Sequence, residues 1–378
     1  MTIETASGLA AGVPEAPQLP VGLDTPALVI DLDIVERNAH RLGDALAARG
    51  IALRPHAKTH KSVALARLQL DAGARGITVG NLGEAEVFAD GGIDDIFIAY
   101  PVLAEGAKVD RLRALHERAG LRLAVGFDSI EGARRLAAAV AGSSRSLRVV
   151  LELDPGNKRT GAPVERAGEV ARAARDAGLD VLGVFTHGGH AYHPGGAEPG
   201  GADEVRTLAA GADALRAEGI EPSVISAGST PTQLTAAVAP VNEIRAGTYI
   251  IGDRQQWAIG AVPSDGIAIA VAATCVSRAV HGQAVIDAGA KTLTKDVAGY
   301  IKGHGLMPAY PAAIIERVSD YHGVIRPGPD GRLPELGEVV AVIPNHVCPV
   351  IDLKDSFVAT RSGAVIGTWP VDARGRSG

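Results

Sequence analysis

Along most of the chain, short apolar runs alternate with longer segments in which apolar residues recur at three- and four-residue spacing. The runs fall at residues 51–53, 76–79, 95–99, 121–125, 147–153, 181–185, 222–226 and 244–251, and each reads as a strand. Between them, residues 34–48, 84–90, 163–177 and 204–218 carry Ala, Leu, Arg and Glu at helical spacing. Eight strand-helix beats fit a (β/α)8 TIM barrel better than an open sheet. A doubly wound sheet is the alternative, but the glycine fingerprint expected after its first strand is missing.

From about Gly266 the beat changes. Residues 267–277, 283–287, 321–324 and 338–344 read as strands separated by Gly, Pro and Asp turns, with little helical pattern. The α/β barrel is therefore expected to be followed by a smaller, mostly β C-terminal domain. The expected organisation is a loose arm over residues 1–22, a barrel over 23–262 and a β-rich domain over 263–378. Residues 23–32 could pair with that second domain.

Composition narrows the function classes. The 378 residues are 46% hydrophobic, enough for a large core. A net charge of -6, with basic and acidic residues interspersed, gives no footprint for a nucleic-acid or anionic-membrane partner, and 3% aromatic residues supply few stacking platforms. The start, Met1-Thr2-Ile3-Glu4-Thr5, has no basic region leading into an apolar core, and no stretch of about 18 apolar residues occurs, so a cytoplasmic location is expected. Two cysteines, Cys275 and Cys348, are too few for a disulfide framework.

The chemistry starts at His56-Ala57-Lys58-Thr59-His60, where the first barrel run ends. Strand alternation there places Arg54, His56 and Lys58 on one face. A lysine near apolar walls loses hydration, its pKa falls, and its amine can form a Schiff base with a carbonyl. The bland reading is a solvated basic loop.

Catalytic groups of such barrels sit at the C-terminal strand ends, and phosphate is commonly bound after strands 7 and 8. Strand 7 leads into Gly228-Ser229-Thr230-Pro231-Thr232 and strand 8 into Arg245-Ala246-Gly247-Thr248-Tyr249, small residues whose amides and hydroxyls can approach an anion. Strand 5 leads into Lys158 and Arg159, the first a rival to Lys58 for a covalent role and the second able to orient a ring or carboxylate. Strand 6 leads into His187, His190, Tyr192 and His193; the histidines could form a metal loop, serve a cofactor or be solvated. In the second domain, His346 and Cys348 stand two apart and would share a face of an extended segment, a spacing that can hold one soft or borderline divalent ion. The alternative there is a buried cysteine beside a hydrogen-bonded histidine.

Taken in order, Arg54-Pro55-His56-Ala57-Lys58-Thr59-His60-Lys61, Asn81-Leu82-Gly83-Glu84-Ala85-Glu86, Gly189-His190-Ala191-Tyr192, Gly228-Ser229-Thr230-Pro231-Thr232, Asp287-Ala288-Gly289-Ala290-Lys291 and Pro344-Asn345-His346-Val347-Cys348 resemble the D-threonine aldolase and D-serine dehydratase family. This is a branch of the fold-type III pyridoxal-phosphate enzymes with an alanine-racemase-like barrel. The resemblance implies that Lys58 carries the cofactor as a Schiff base and that Gly228, Ser229, Thr230, Gly247 and Thr248 hold its phosphate. It places His56, His190 and Tyr249 at the cofactor and Arg159 and Tyr192 near cofactor or substrate. It also implies that His346 and Cys348 hold a catalytic zinc or manganese ion, that the substrate is a small D-amino acid, and that the protein is a homodimer. The family's dehydratases typically carry this cysteine and its best-known aldolases an aspartate, whereas Gly83-Glu84-Ala85-Glu86-Val87-Phe88 and Ile98-Ala99-Tyr100-Pro101 look more like the aldolase branch. The expected activity is the aldolase type, with the dehydratase type and an amino-acid racemase as alternatives.

Overall fold

The computed structural model describes residues 12–378. The chain divides into two compact units. The barrel unit consists of His40–Lys58, Leu65–Gly247 and Gly375–Gly378; the other consists of the described part of Met1–Ala39 with Thr59–Ala64 and Thr248–Arg374. Of the arm expected over residues 1–22, residues 1–11 lie outside the described residues, and residues 12–20 form no helix or strand.

Strand β1 (Ala27–Asp31) and helix α1 (Leu32–Ala47) come first. The barrel strands follow as β2 (Ala52–Leu53), β3 (Ile77–Val79), β4 (Asp95–Pro101), β5 (Arg122–Phe127), β6 (Arg148–Glu152), β7 (Asp180–Phe185), β8 (Val224–Ala227) and β9 (Glu243–Ile244). Between them stand α2 (Val63–Asp71), α3 (Leu82–Asp90), α4 (Ala107–Glu117), α5 (Ile130–Ala139), α6 (Ala167–Asp176) and α7 (Ala197–Ala217). The strands pair in parallel in the order β2-β9-β8-β7-β6-β5-β4-β3. A bridge between His56 and Thr78, with Thr78 N donating to Pro55 O at 2.8 Å, joins the two ends and curls the sheet into a barrel. Each of the eight apolar runs supplies one barrel strand.

Two boundaries differ from the sequence reading. The run at residues 244–251 gives only the short β9; beyond it Gly252 N bonds Thr248 O at 2.7 Å and winds residues Thr248–Ile250 into a tight helical turn. Helix α7 begins well before residue 204. Pro199 falls in its first turn, where a missing N–H leaves no bond unmade, and Gly200 lets it approach Ala191, whose Cβ would stand 2.6 Å from any added Cβ.

The barrel core is Phe97, Ala124, Val150, Phe185 and Val224, with Phe97 and Phe185 edge to face at 5.1 Å. Among the described residues, charged side chains in this interior form a bonded chain. Buried Arg54 pairs with Asp95 at 2.6 Å and Glu243 at 2.8 Å, Ser226 Oγ donates to Glu243 at 2.8 Å, and Arg245 donates to Ser226 Oγ at 2.8 Å while lying over the Phe185 ring. Such pairing offsets part of the cost of removing these charges from water.

The second unit holds β10 (Ile269–Ser277), β11 (Ala284–Ile286), β12 (Ile314–Val318), β13 (Gly323–Arg326), β14 (Val339–Val342), β15 (Ser356–Arg361) and β16 (Ala364–Pro370), with short helices α8 (Arg254–Ala258), α9 (Ala290–Leu293) and α10 (Val347–Asp352). Its sheet runs β12-β13-β11-β10-β1-β15-β16, with β14 also on β10. β1 is antiparallel to β10, Val29 opposite Ala270, and parallel to β15, Val29 opposite Val358. Strands β12, β15 and β16 were not expected; their apolar runs, such as Ile314-Ile315 and Ala364-Val365-Ile366, are short, and β12 buries one residue and β16 none. Among the described residues, no helix is long and apolar enough to cross a membrane.

Candidate active site

In the barrel unit, Lys58 stands in a helical turn, Ala57–Thr59, not on a strand. β2 stops at Leu53, so the alternation that would put Arg54, His56 and Lys58 on one face does not reach them. Pro55 has no N–H to extend the ladder. Arg54 turns into the barrel interior, His56 bonds through its backbone to Ala246 O at 2.9 Å, and Lys58 is half-buried.

The residue that senses Lys58 is His187, just beyond β7. Burial, followed by the positive charges of Lys58, Arg159 and Arg245, holds its pKa well below the usual imidazole range, so His187 is neutral at pH 7. Its ring lies 6.2 Å from that of Tyr192. His190 instead turns to Asp203 on α7, at 3.2 Å, and His193 is exposed beside Pro194 O. The three histidines thus have three different surroundings, and among the described residues no group of three or more His, Cys, Asp or Glu is placed to hold a metal. Arg159 is exposed, 4.0 Å from Glu152. Lys158 is exposed at a left-handed position (φ +54°) whose N–H is taken by Asp154 Oδ1 at 3.0 Å.

The loop after β8 begins at Gly228, whose φ of +119° and whose closeness to Arg245 N, 3.0 Å from an added Cβ, call for glycine. Among the described residues, the buried polar atoms without a hydrogen-bond partner include, at this C-terminal edge of the barrel, Glu152 Oε2 at the end of β6, His190 Nδ1 after β7, Thr230 Oγ1 after β8 and Arg245 Nε after β9. Each such atom costs about 1–3 kcal/mol unless a ligand meets it. Burial also pushes the Glu152 carboxyl up, against the pull of Thr160 and Arg159. A carboxyl, a hydroxyl and a guanidinium at the strand-end edge that also carries a half-buried lysine suit an anionic, heteroaromatic carbonyl compound such as pyridoxal phosphate. Gly247, buried, ends this unit's strand-8 segment.

The second unit contains Thr248 and Tyr249, both buried in the turn after Gly247, and the pair His346 and Cys348. These two do not share a face of an extended segment. His346 is the N-cap of α10 and Cys348 lies in its first turn, because Val347 N is held by Asp253 Oδ2 at 3.0 Å and the chain begins to coil there. His346 Nδ1 lies 2.6 Å from Asp296 Oδ2, the carboxylate-imidazole arrangement that leaves Nε2 for a cation. Burial pulls the imidazole pKa down, but the hydrogen bond and charge of Cys348, with Asp253 and Asp296, push it up to about 10. An imidazole and a thiol two residues apart are donor types that can share one divalent cation.

The loop carrying this pair is fixed from below. Asp253, fully buried and pushed up to about 6 by that burial, also caps α8 through Gln256 N at 2.8 Å. Asn345 donates to Asp296 O and Gly303 O, and Arg254 donates to Asn345 and to Gly305 O. Cys348 Sγ lies 3.8 Å from Thr59 Oγ1, and Thr59 follows Lys58 in the chain. Lys61 to Asp352 at 2.6 Å and Val63 N to Asp372 at 2.7 Å hold that segment. Sequence reasoning gave no role to Glu152, Glu204, Arg245, Asp253 or Asp296. Glu152 and Arg245 stood beside residues of interest at strand ends, which was a usable signal; nothing marked Asp296.

Comparison with known proteins agrees with this layout. The alanine racemase N-terminal domain family matches residues 30–255, and the serine dehydratase domain family matches residues 268–360. The D-threo-3-hydroxyaspartate dehydratase of Delftia sp. strain HT23 is 33% identical over 372 residues, 92% of this chain and 97% of that one. The D-threonine aldolase of an Arthrobacter species is 31% identical over 389 residues, 100% of both chains. The crystal structure of D-threonine aldolase from Filomicrobium marinum superimposes with a TM-score of 0.88 at 33% identity, over 97% of this chain and 100% of that one. D-threo-3-hydroxyaspartate dehydratase has been solved as a histidine-to-alanine mutant and, two positions on, as a cysteine-to-alanine mutant in a metal-free form; the latter has a TM-score of 0.83 at 33% identity, over 92% of this chain and 97% of that one. The chain belongs to the D-threonine aldolase and D-serine dehydratase family of fold-type III pyridoxal-phosphate enzymes, in which an alanine-racemase-type barrel precedes a smaller, mostly β domain.

Proposed function

We propose that this protein is a pyridoxal-phosphate- and divalent-metal-dependent lyase that splits β-hydroxy-D-amino acids between Cα and Cβ, giving glycine and an aldehyde. The observation that carries the reading is the His346 and Cys348 pair at the head of α10 with Asp296 behind the imidazole. An amino-acid racemase needs no such donors. The histidine and cysteine mutants of the dehydratase, spaced as His346 and Cys348 are, support it further.

When bound, the cofactor supplies a sink for the electron pair released at Cα, and the cation a Lewis acid for the β-hydroxyl. The chain's own residues do the rest. Lys58 Nζ is the amine that anchors the cofactor and, once displaced by substrate, a base beside Cα. His187, held neutral by its burial and by the positive charges of Lys58, Arg159 and Arg245, keeps an uncharged imidazole at this edge of the barrel. Thr230 Oγ1 offers its hydroxyl to the phosphate, while Arg159 and Tyr192 border the substrate. His346 and Cys348 would hold the cation, zinc by donor type or manganese if the site exchanges. Cys348, the donor typical of the dehydratases, favours a second reading in which Lys58 takes the Cα proton and the hydroxyl leaves, giving a 2-oxo acid and ammonia.

D-threonine separates the two. Acetaldehyde and glycine in equal amounts, abolished by a chelator, are expected; 2-oxobutanoate and ammonia without acetaldehyde would replace the first reading by the second. The proposal includes a cytoplasmic homodimer, and light scattering at a monomer's mass would remove the dimer from it.

A further inference from the structure

The loop after β8 is shaped by a carboxylate that the cofactor reading does not use. Glu204, on α7, is fully buried. Its Oε1 accepts from Gly228 N and from Thr186 Oγ1, each at 3.0 Å, and its Oε2 accepts from Thr232 Oγ1 at 2.5 Å. Thr232 Oγ1 in turn accepts from Ser229 N at 3.2 Å and lies 2.9 Å from Ser229 Oγ. On the neighbouring loop, a Cβ added to Gly188 would stand 2.6 Å from Glu204 Oε2. One side chain thus fixes the segment that follows β7 and the segment that follows β8.

We infer that Glu204 is the positioning residue of the phosphate loop, and that it consumes the Gly228 and Ser229 amides so that the anion is met by Thr230. The bonding supports this directly. The Gly228 N–H goes to Glu204 and the Ser229 N–H to Thr232, while Thr230 Oγ1 is the buried hydroxyl left without a partner. The inference rests on the pyridoxal-phosphate reading and changes which loop atoms that reading uses. A carboxylate near a phosphate dianion is a like charge, so the two possible roles of Glu204 differ in sign. If Glu204 only repelled the phosphate, its removal would tighten binding; if it positions the loop, removal loosens binding.

The test titrates cofactor-free protein with pyridoxal phosphate and with pyridoxal, which has the aldehyde but no phosphate, following the absorbance of the adduct. In Glu204→Ala the dissociation constant for pyridoxal phosphate should rise about tenfold or more, the scale of losing charge-assisted hydrogen bonds. That for pyridoxal should stay within about twofold, since Lys58 is untouched. Glu204→Gln, which keeps the size of the side chain and one oxygen to accept from Gly228 N, should show the same phosphate-specific loss at about threefold or more, and it decides the matter if Glu204→Ala does not fold. Equal weakening toward both compounds would reduce Glu204 to a general structural role, and unchanged or tighter pyridoxal phosphate binding would also overturn the inference. Wild-type protein that captures neither compound would instead refute the cofactor reading on which it rests.

Discussion

The barrel unit and the β unit are assembled differently. From β3 to β9 each barrel strand pairs with the next in sequence, so a local beat of apolar run and helix is enough to specify the sheet. In the β unit the central strand β10 takes β1 as a neighbour from the far end of the chain, and β1 then pairs with β15. The chemistry follows the same division. The barrel places Lys58, Thr230 and Arg245 at the ends of its own strands, whereas the β unit builds its two-donor pair by bringing Asp253 and Asp296 to a loop many residues away. A regular framework carries its site at predictable places; an irregular one must collect the supporting residues from distant positions.

The largest expected effect probes the framework. Phe185→Ala removes the edge-to-face partner of Phe97 in the barrel core and should cost about 3–5 kcal/mol in denaturant unfolding. A cost under about 1 kcal/mol would show that the core repacks and that its register is set elsewhere. Next, Cys348→Ala should weaken divalent-metal binding by about 100-fold or more and lower aldehyde formation by a similar factor, while cofactor capture at Lys58 is unchanged. Loss of cofactor capture as well would break the separation of roles between the two units. Asp296→Asn, which leaves both donors in place but weakens the hold on His346 Nδ1, should cost about tenfold in metal affinity by chelator competition.

The smallest effect is pH-dependent. Burial alone would raise the Asp95 carboxyl, but the hydrogen bond and charge of Arg54, helped by Arg122, hold it below the ordinary carboxylate range. A depressed folded pKa stabilises fully above the unfolded value near pH 4, and that stabilisation disappears as pH falls through the folded value. Asp95→Asn should therefore cost about 1 kcal/mol at neutral pH, with the gap to wild type closing in acid. A gap that persists undiminished at pH 2 would assign the loss to packing.

The barrel was legible because its strands are apolar runs and its loops carry Gly, Ser and Thr at the strand ends. Its eighth strand was overread, since residues 244–251 are apolar throughout whether extended or wound into a turn. Strands β12 and β16 were missed because their apolar runs, Ile314-Ile315 and Ala364-Val365-Ile366, are short and do not alternate with polar residues, although, Ile315 apart, those side chains face solvent. At the site, Lys58, His346 and Cys348 were visible as residue types at telling spacing, but the strand geometry assumed for each pair was replaced by a helical turn or a helix start. His187 was passed over in favour of His190 because sequence shows a cluster of histidines without showing which one meets the lysine. Glu204, Asp253 and Asp296 act on backbone amides or a ring nitrogen far away in sequence, and no local pattern records that.

The claim on which the account turns is that Lys58 carries the cofactor. Borohydride reduction of the protein with bound pyridoxal phosphate, followed by proteolysis and mass spectrometry, tests it directly. The account predicts one pyridoxyl group, on the peptide containing Lys58. A label on Lys158, or no stable label after reduction, would contradict it.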